Sequence, residues 1–188
     1  MKKTAVAGIF VGGAGARMGG RAKGLLRAPD GHTIVERWCA VLEASGIRNV
    51  VLVGARAAYA SLPLERIDDQ PAGIGPLGGL IALLGHAGEA FAFALACDMP
   101  FVSEALVRRL ISAGDAAVVA PRRDQRWEPL FARYDSQRVL AVARRRAGEG
   151  AHSLQRLLEE VRAAELPMHA YEMSQLRDWD TPEDIKSQ

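Results

Sequence analysis

The chain contains few aromatic residues, few cysteines and no long apolar run, and each of these shortages rules out a class of protein. Aromatic residues are only 6% of its 188 residues, so the core must consist mainly of Ala, Val, Leu and Ile. Two cysteines far apart in sequence form neither a disulfide framework nor a zinc ligand set, and such sparse thiols are typical of a reduced, cytoplasmic protein. No segment approaches the roughly 18 unbroken apolar residues of a membrane-spanning helix, so we expect no membrane partner.

The chain also lacks a strong excess of charge of either sign. Its 24 basic and 22 acidic residues give a formal net charge of +2, which does not by itself favour a nucleic-acid partner. Arginines form two local clusters, at 122–126 and 144–146. We expect the second cluster to lie on a solvated face, as most charge runs do, whereas the first lies beside a predicted binding loop.

Apolar strands and amphipathic helices alternate along the chain. Strands are predicted at 5–11, 50–53, 91–96, 116–120 and 130–134, and helices at 33–43, at 77–84 after an opening Pro76, and from a capping Ser103 onward. Repeated strand–helix units with strands that are apolar throughout indicate a mostly parallel sheet covered on both faces. The prediction is a single Rossmann-like α/β domain of three layers, α/β/α, spanning residues 1–188.

A glycine-rich segment, residues 12–24, directly follows the first predicted strand and carries Arg17 and Lys23. Glycines allow backbone N–H groups to approach a ligand closely, because no Cβ blocks the way and positive φ is tolerated. Arg17 offers a forked, permanently charged donor, and Lys23 a compact charge on a flexible stem. The segment therefore predicts a polyphosphate site.

Two familiar glycine patterns do not fit this segment. A Walker loop requires Ser or Thr after its lysine, but Gly24 follows Lys23. The dinucleotide pattern G-x-G-x-x-G also fails, because three residues separate Gly15 from Gly19. A plain glycine-rich surface loop is the remaining alternative.

Asp98 is the second candidate site residue, because it follows the apolar strand at 91–97. Its carboxylate is expected to emerge at the carboxyl edge of the sheet, where such folds bind ligands, and Pro100 stiffens the turn. A hard oxygen ligand there suits Mg²⁺ held between protein and phosphates. The alternative is that Asp98 only caps the turn before Ser103.

A second glycine-rich segment, residues 73–79, leads into the helix opened by Pro76. Several glycines and a proline at a helix start fit a wall against a flat base, although a simple connection is the alternative. Asp68 and Asp69 precede this segment, and each could equally lie in an exposed turn.

Five segments, in the same order, resemble the molybdenum cofactor guanylyltransferases and their relatives among the nucleotide-sugar-type nucleotidyltransferases. They are the signature loop at 11–26 (VGGAGARMGGRAKGLL), GPLGGL at 75–80, CDMP at 97–100, EPLFA at 128–132 and WDTPEDI at 179–185. Together they extend over nearly the whole chain. The resemblance is therefore much more specific than any single motif.

This resemblance implies the nucleotide-diphospho-sugar transferase type of fold, with a nucleotide-binding half at about 1–100 and an acceptor-binding half at about 101–188. It implies Mg²⁺-dependent transfer of GMP from GTP to the phosphate of molybdopterin, with release of pyrophosphate. Transient contact with molybdopterin-synthesis proteins or a recipient molybdoenzyme is a further expectation. No nucleic-acid partner is expected.

The resemblance also assigns roles to individual residues. Catalytic roles fall on Arg17, Lys23 and Asp98, with Asp98 as the metal ligand. Nucleotide binding falls on Val11, Gly12, Gly13, Gly15, Lys23, Asp69, Gly75, Pro76 and Leu77. Acceptor binding falls on Arg122, Arg126, Glu128, Pro129 and Asp180. Asp69 matches the acidic residue near the guanine, where a carboxylate accepts from both N1–H and the exocyclic amine.

Three positions depart from the family pattern. Ala22 replaces an aspartate before the lysine, Gly54 lies where some members have an asparagine near the base, and Asp180 replaces an asparagine. These departures leave base selection less certain than phosphate binding. The alternatives are a related enzyme using CTP or a sugar phosphate, and a non-catalytic nucleotide-binding homologue.

Overall fold

A computed structural model describes residues 4–12, 22–28, 30–54 and 57–179 of the chain. The strands in these ranges are β1 (Ala5–Phe10), β2 (Asn49–Val53), β3 (Glu65–Ile67), β4 (Phe91–Ala96), β5 (Val118–Ala120), β6 (Arg122–Arg123), β7 (Arg126–Trp127), β8 (Phe131–Asp135) and β9 (Ala164–Glu165). The α-helices are α1 (Ile34–Ala44), α2 (Pro76–Ala87), α3 (Glu104–Ser112), α4 (Ser136–Gly148), α5 (Leu154–Glu160) and α6 (Ala170–Ser174). None of these helices is long and apolar enough to cross a bilayer. Short 3₁₀ turns lie at Lys23–Leu25 and Ala57–Tyr59.

Seven strands pair into one sheet, in the order β3-β2-β1-β4-β8-β5-β9. Strands β3, β2, β1 and β4 are parallel to one another, and β9 is parallel to β5. Strand β8 runs antiparallel to both of its neighbours, β4 and β5. Strands β6 and β7 form a separate hairpin. The predicted α/β class with a mostly parallel sheet is confirmed.

The sheet lies between two apolar clusters, because side chains alternate between the two faces of each strand. Val6 and Val51 belong to the cluster that contains residues of α2, α4 and α5, whereas Ile9 and Leu52 belong to the cluster with residues of α1 and α3. Helices thus cover both faces, which confirms the three-layer architecture. Gly8 brings α2 close to β1, since a Cβ at this position would lie 2.7 Å from a methyl group of Leu83.

The starts of α1, α2 and α3 follow the sequence signals. The Thr33 side chain accepts from the backbone N–H of Glu36, whose side chain returns to the Thr33 N–H, and this capping box opens α1. Ser103 caps α3 by accepting from the N–H of Leu106. Pro76 is the first residue of α2, as predicted. The predicted strands at 50–53, 91–96, 116–120 and 130–134 correspond to β2, β4, β5 and β8.

Several elements of the second half were not predicted, among them α4, α5 and the β6–β7 hairpin. The arginine cluster at 144–146 lies on α4, where Arg145 and Arg146 form ion pairs with Glu160 of α5. Arg144 and Arg145 are exposed. The cluster therefore lies on a solvated helix face, as predicted.

Candidate active site

A cavity of about 370 Å³ opens beside the carboxyl ends of β1, β2 and β4. Open parallel sheets bind ligands at this edge, because the loops that follow the strands converge there. The lining residues are Phe10, Val11, Gly12, Lys23, Val53, Tyr59, Asp69, Gly75, Pro76, Ala96, Cys97, Asp98 and Leu130. The predicted site residues among them are Val11, Gly12, Lys23, Asp69, Gly75, Pro76 and Asp98.

Lys23 and Asp98 form an ion pair in the wall of this cavity. The Lys23 Nζ donates to Asp98 Oδ2 over 2.9 Å, and the two side chains are 18% and 20% exposed. Asp98 follows β4, and its backbone carbonyl accepts from the N–H of Trp179 over 2.9 Å. The two residues predicted separately as a phosphate ligand and a metal ligand are thus in direct contact. A polyphosphate and its metal ion would meet both charges at one place.

Cys97 precedes Asp98 and is buried. Burial, with a smaller effect from the neighbouring Asp98 carboxylate, raises the pKa of its thiol to about 12. The thiolate required of a nucleophile is therefore scarce at neutral pH. Cys97 is therefore a buried, unreactive thiol, and it lies in the turn directly after β4 and not in the strand itself.

Two glycines bring the ends of β1 and β2 together. The Val11 N–H donates to the Val53 carbonyl over 3.0 Å, and the next residues, Gly12 and Gly54, then meet backbone to backbone. Gly54 has a φ of +107°, and a Cβ there would lie 3.0 Å from both the N and the Cα of Gly12. A side chain at position 54 is therefore unfavourable both in conformation and in space.

Asp69 is half-buried at the start of the loop that leads to α2. Desolvation raises the pKa of its carboxyl group, and the adjacent Asp68 raises it further. A Cβ on Gly79 would lie 3.1 Å from Asp69 Oδ1, and a Cβ on Gly78 would lie 2.3 Å from the carbonyl oxygen of Pro71. The two glycines thus allow the loop carrying Asp69 to pack directly onto the first turn of α2.

The N-terminus of α2 forms another wall of the cavity. Gly75 precedes the helix with a φ of +71°, and Pro76 occupies the first helical position. Both residues line the cavity. Leu77 does not line it, because its side chain is fully buried in the apolar cluster between α2 and the sheet. A contact from position 77 to a ligand would have to come from its backbone.

The predicted acceptor residues lie on and after the β6–β7 hairpin. The Arg122 guanidinium lies 4.4 Å from the ring centroid of Trp127, and Arg126 is exposed. The Pro129 carbonyl accepts from the Tyr134 hydroxyl over 2.8 Å. Within the described ranges, only Leu130 of this segment reaches the cavity lining. The hairpin therefore lies beside the cavity and not in its wall.

Glu128 is the mostly buried acidic group of this segment. It forms a 2.8 Å ion pair with Arg123, and its side chain is 15% exposed. Burial raises the pKa of Glu128, and the nearby Asp178 acts in the same direction, while Arg123 partly offsets both.

Four predicted residues, Gly13, Gly15, Arg17 and Asp180, lie outside the residues that the structure describes.

The family model of the MobA-like NTP transferase domain matches residues 7–165. This range includes every residue named above as lining the cavity and all or part of every strand of the sheet. The chain belongs to this family. This match confirms the resemblance to the molybdenum cofactor guanylyltransferases that the sequence motifs indicated. It also confirms the prediction that the chain is a nucleotidyltransferase.

Relatives and solved structures agree with this family. The chain is 34% identical to a probable molybdenum cofactor guanylyltransferase of Opitutus terrae, over 96% of this chain and 93% of that protein. It is 36% identical to the molybdenum cofactor guanylyltransferase of Pseudomonas putida, over 80% of each protein. The crystal structure of molybdopterin-guanine dinucleotide biosynthesis protein A from Archaeoglobus fulgidus superposes with a TM-score of 0.77 at 26% identity, covering 98% of this chain and 96% of that one.

Several residues of this MobA-like cavity were not predicted. Phe10, Val53, Ala96 and Leu130 line it because they end or precede strands, and the strand boundaries alone would have indicated them. Tyr59 has no such signal, because it lies in a short 3₁₀ turn remote in sequence from the residues it contacts.

Proposed function

We propose that this MobA-like chain transfers GMP from GTP to the phosphate of molybdopterin and releases pyrophosphate. A phosphate oxygen of the acceptor forms a bond to the α-phosphorus of GTP, and the bond from that phosphorus to the pyrophosphate oxygen breaks. The observation that carries the proposal is the cavity that joins the Lys23–Asp98 pair, Asp69 and the backbone of Gly12. The names of the Opitutus and Pseudomonas relatives support this choice of reaction.

The chain's part in this reaction is to align the reactants and neutralise charge. Phosphoryl-type transfer spreads negative charge over the equatorial and leaving oxygens, so fixed cations stabilise the transition state. Lys23 provides one such cation at the cavity wall, and we assign Arg17 the same task from the sequence. No covalent bond between protein and nucleotide is required.

The residues present fit a Mg²⁺ ion. Asp98 presents a carboxylate to the cavity beside the cation that would share the phosphates. In the described part of the chain no three His, Cys, Asp or Glu side chains are grouped to hold a metal. Mg²⁺ is commonly held by one or two carboxylates together with substrate phosphates and water, so Asp98 and the triphosphate would hold it here. The ion would supply charge neutralisation at the phosphate oxygens.

Base selection is assigned to Asp69. An ionised carboxylate accepts from N1–H and the 2-amino group of guanine together, a pair of donors that adenine and cytosine do not present in that arrangement. Gly75 and Pro76 would lie against the base and ribose.

The acceptor is assigned to the half of the chain after about residue 100, with contacts from Arg122, Arg126, Glu128, Pro129 and Asp180. Arginines suit phosphate recognition because their guanidinium groups donate in pairs. The same proposal includes a cytoplasmic location and delivery of product to a molybdoenzyme.

Nucleotide-dependent thermal stabilisation tests the proposal. A ligand that binds only the folded state stabilises it by about 2.7 kcal/mol at a hundredfold excess over Kd, which for a chain of this size raises the Tm by roughly 5–10 °C. We expect this rise for GTP with Mg²⁺, and a much smaller one for CTP and ATP. Asp98→Ala should lose the Mg²⁺-dependent part of the rise.

Asp115→Ala is the matched control, because Asp115 is an exposed carboxylate whose only described ion pair is with Arg138 on the surface. It should respond to GTP as the wild type does. A preference for CTP would instead favour a cytidylyltransferase. Absence of a response to any nucleotide would contradict the proposal, and stabilisation by GTP without pyrophosphate release on addition of molybdopterin would favour a non-catalytic homologue.

A further inference from the structure

One buried hydroxyl group connects the two segments that carry Lys23 and Asp98. The Tyr59 hydroxyl accepts from the backbone N–H of Gly24, the residue after Lys23, over 3.0 Å. It is also hydrogen-bonded to the thiol of Cys97, the residue before Asp98. A phenol hydroxyl has one proton to donate and two lone pairs to accept with, so it can serve both neighbours at once.

Tyr59 and Gly24 are packed closely against each other and against neighbouring side chains. Tyr59 is fully buried and is one of the residues that line the cavity. A Cβ on Gly24 would lie 3.1 Å from the Tyr59 hydroxyl oxygen and 2.8 Å from a methyl group of Val35. The 3₁₀ turn at Lys23–Leu25 is therefore pressed against both the tyrosine and α1. Packing of this density transmits a small displacement of the tyrosine to the turn.

We infer that Tyr59 is a positioning residue, whose hydroxyl sets the distance between Lys23 and Asp98 by holding Gly24 and Cys97 together. The inference rests on the proposed function for its catalytic consequence, but the positioning itself is a property of the protein alone. Loss of the hydroxyl leaves the phenyl ring to fill the same space. The Gly24 N–H then loses its oxygen acceptor and keeps only the sulfur of Cys97, which is a weak acceptor, so the turn that carries Lys23 is less firmly held.

Tyr59→Phe tests the inference, with Tyr134→Phe as the matched control. Tyr134 is equally buried, and its hydroxyl also makes a hydrogen bond to the main chain, to the carbonyl of Pro129. Tyr134→Phe should lower the Tm by about 2–4 °C, because it loses one buried hydrogen bond, and Tyr59→Phe should lower it by at least as much, because its hydroxyl bonds both Gly24 and Cys97. A purely structural role for Tyr59 would make the two variants alike in every other measurement.

Two readouts require no substrate. Amide hydrogen exchange of Gly24, followed by NMR, should be about tenfold faster in Tyr59→Phe than in the wild type. Acetylation of Lys23 by an N-hydroxysuccinimide ester, quantified by mass spectrometry, should be about threefold faster, because the amine leaves its partner Asp98 more often. Neither rate should change in Tyr134→Phe. Wild-type rates for both in Tyr59→Phe would overturn the inference.

Steady-state turnover measurements test whether the positioning by Tyr59 affects catalysis. With GTP and molybdopterin, Tyr59→Phe should lower kcat about tenfold and change the KM for GTP less than about twofold, because geometry is lost and not nucleotide binding. Faster acetylation with an unchanged kcat would overturn the catalytic part of the inference. If the wild type releases no pyrophosphate, the proposed function fails, and the Gly24 and Lys23 rates still decide whether Tyr59 positions the pair.

A second variant guards against unfolding of Tyr59→Phe. Cys97→Ala keeps the tyrosine and removes the sulfur, which is hydrogen-bonded both to the Tyr59 hydroxyl and to the Gly24 N–H. It should accelerate acetylation of Lys23 by a smaller factor than Tyr59→Phe, since thiols form weak hydrogen bonds. An acetylation rate equal to that of the wild type would contradict a connection through the sulfur.

Discussion

The carboxyl group of Asp69 is held where ionisation is unfavourable. Partial burial and the adjacent Asp68 both raise its pKa above the ordinary aspartate value of 3.8. A raised pKa means that the folded protein binds the proton more tightly than the unfolded chain does. The protonated carboxyl group of Asp69 therefore stabilises the folded state below pH 3.8, and this stabilisation is lost as the pH rises through the raised pKa. At neutral pH the ionised Asp69 is therefore a cost to folding, which under the proposed function would be offset by its use in base recognition.

Asp69→Asn should separate stability from recognition. At pH 7 its Tm should equal or exceed that of the wild type, and the difference should disappear as the pH falls towards about 4. The apparent affinity for GTP should fall at least about tenfold, because an amide replaces one of the two acceptor oxygens by an NH2 group, which would face a guanine donor. Thermal unfolding between about pH 4 and 7.5, with and without GTP, measures both effects.

Asp68→Asn provides the comparison for this experiment. Asp68 is exposed and adjacent, so its removal changes the same net charge without touching the cavity lining. It should keep the response to GTP. Retention of the GTP preference by Asp69→Asn would contradict the role of Asp69 in base recognition.

At the scale of elements, the site depends on how closely β1 and β2 approach at their carboxyl ends. The backbone of Gly54 fits against Gly12 only because position 54 has no side chain and adopts a positive φ. The same contact keeps Gly12 at the lining of the cavity. Glycine is thus required at positions 12 and 54 because the ends of two strands approach each other closely there, and not because of the geometry of a single turn.

Gly54→Ala should destabilise the protein by about 2–3 kcal/mol, from the cost of positive φ and from the close contact with Gly12. Chemical denaturation in urea measures the change. Gly148→Ala is the opposite case, because Gly148 ends α4 with open space around its Cβ position. That substitution should stabilise the protein by about 0.5–1 kcal/mol. Equal effects at both positions would contradict this account of Gly54.

Some features of the fold could be predicted from the sequence and others could not, and the reason lies in whether a local sequence pattern marks the feature. Strand β4 and the position of Asp98 were predictable, because a continuous apolar run ends abruptly in a polar residue. The direction of β8 was not, because an apolar run pairs equally well in parallel or antiparallel orientation. Tyr59 was not predictable either, since its partner Gly24 is 35 residues away and no repeating pattern links them.

At the scale of the whole molecule, strands from both halves of the chain share one sheet. Strand β8 pairs with β4 on one side and with β5 on the other, so strands from before and after residue 100 are hydrogen-bonded directly to each other. The buried side chain of Arg133 in β8 also donates to the carbonyls of Ile111 and Ala113 at the end of α3. We propose on this basis that the chain unfolds as one domain.

A single cooperative transition is the expected result. Trp38 and Trp127 lie in the apolar clusters on opposite faces of the sheet. The third tryptophan, Trp179, lies in the same cluster as Trp38. In the double variant Trp38→Phe/Trp179→Phe and in Trp127→Phe, the remaining tryptophan fluorescence therefore reports one cluster each, and it should give the same urea midpoint as the far-UV circular dichroism of that variant. Each variant is its own reference, so a change in stability does not affect the comparison. Midpoints that differ within one variant would indicate two domains.

The antiparallel direction of β8 has a consequence for how this fold changes its choice of acceptor. Because β8 runs against β4, the residues that precede it, including Leu130, arrive at the same edge as Asp98. The β6–β7 hairpin just before them has its own ladder, separate from the seven-stranded sheet. Its tip, Asp124 and Gln125, can therefore be lengthened or shortened without shifting the register of any strand of that sheet, whereas Trp127 of the same hairpin is fixed in the apolar core. Under the proposed function, this tip beside the cavity is a module on which selection for new acceptors can act.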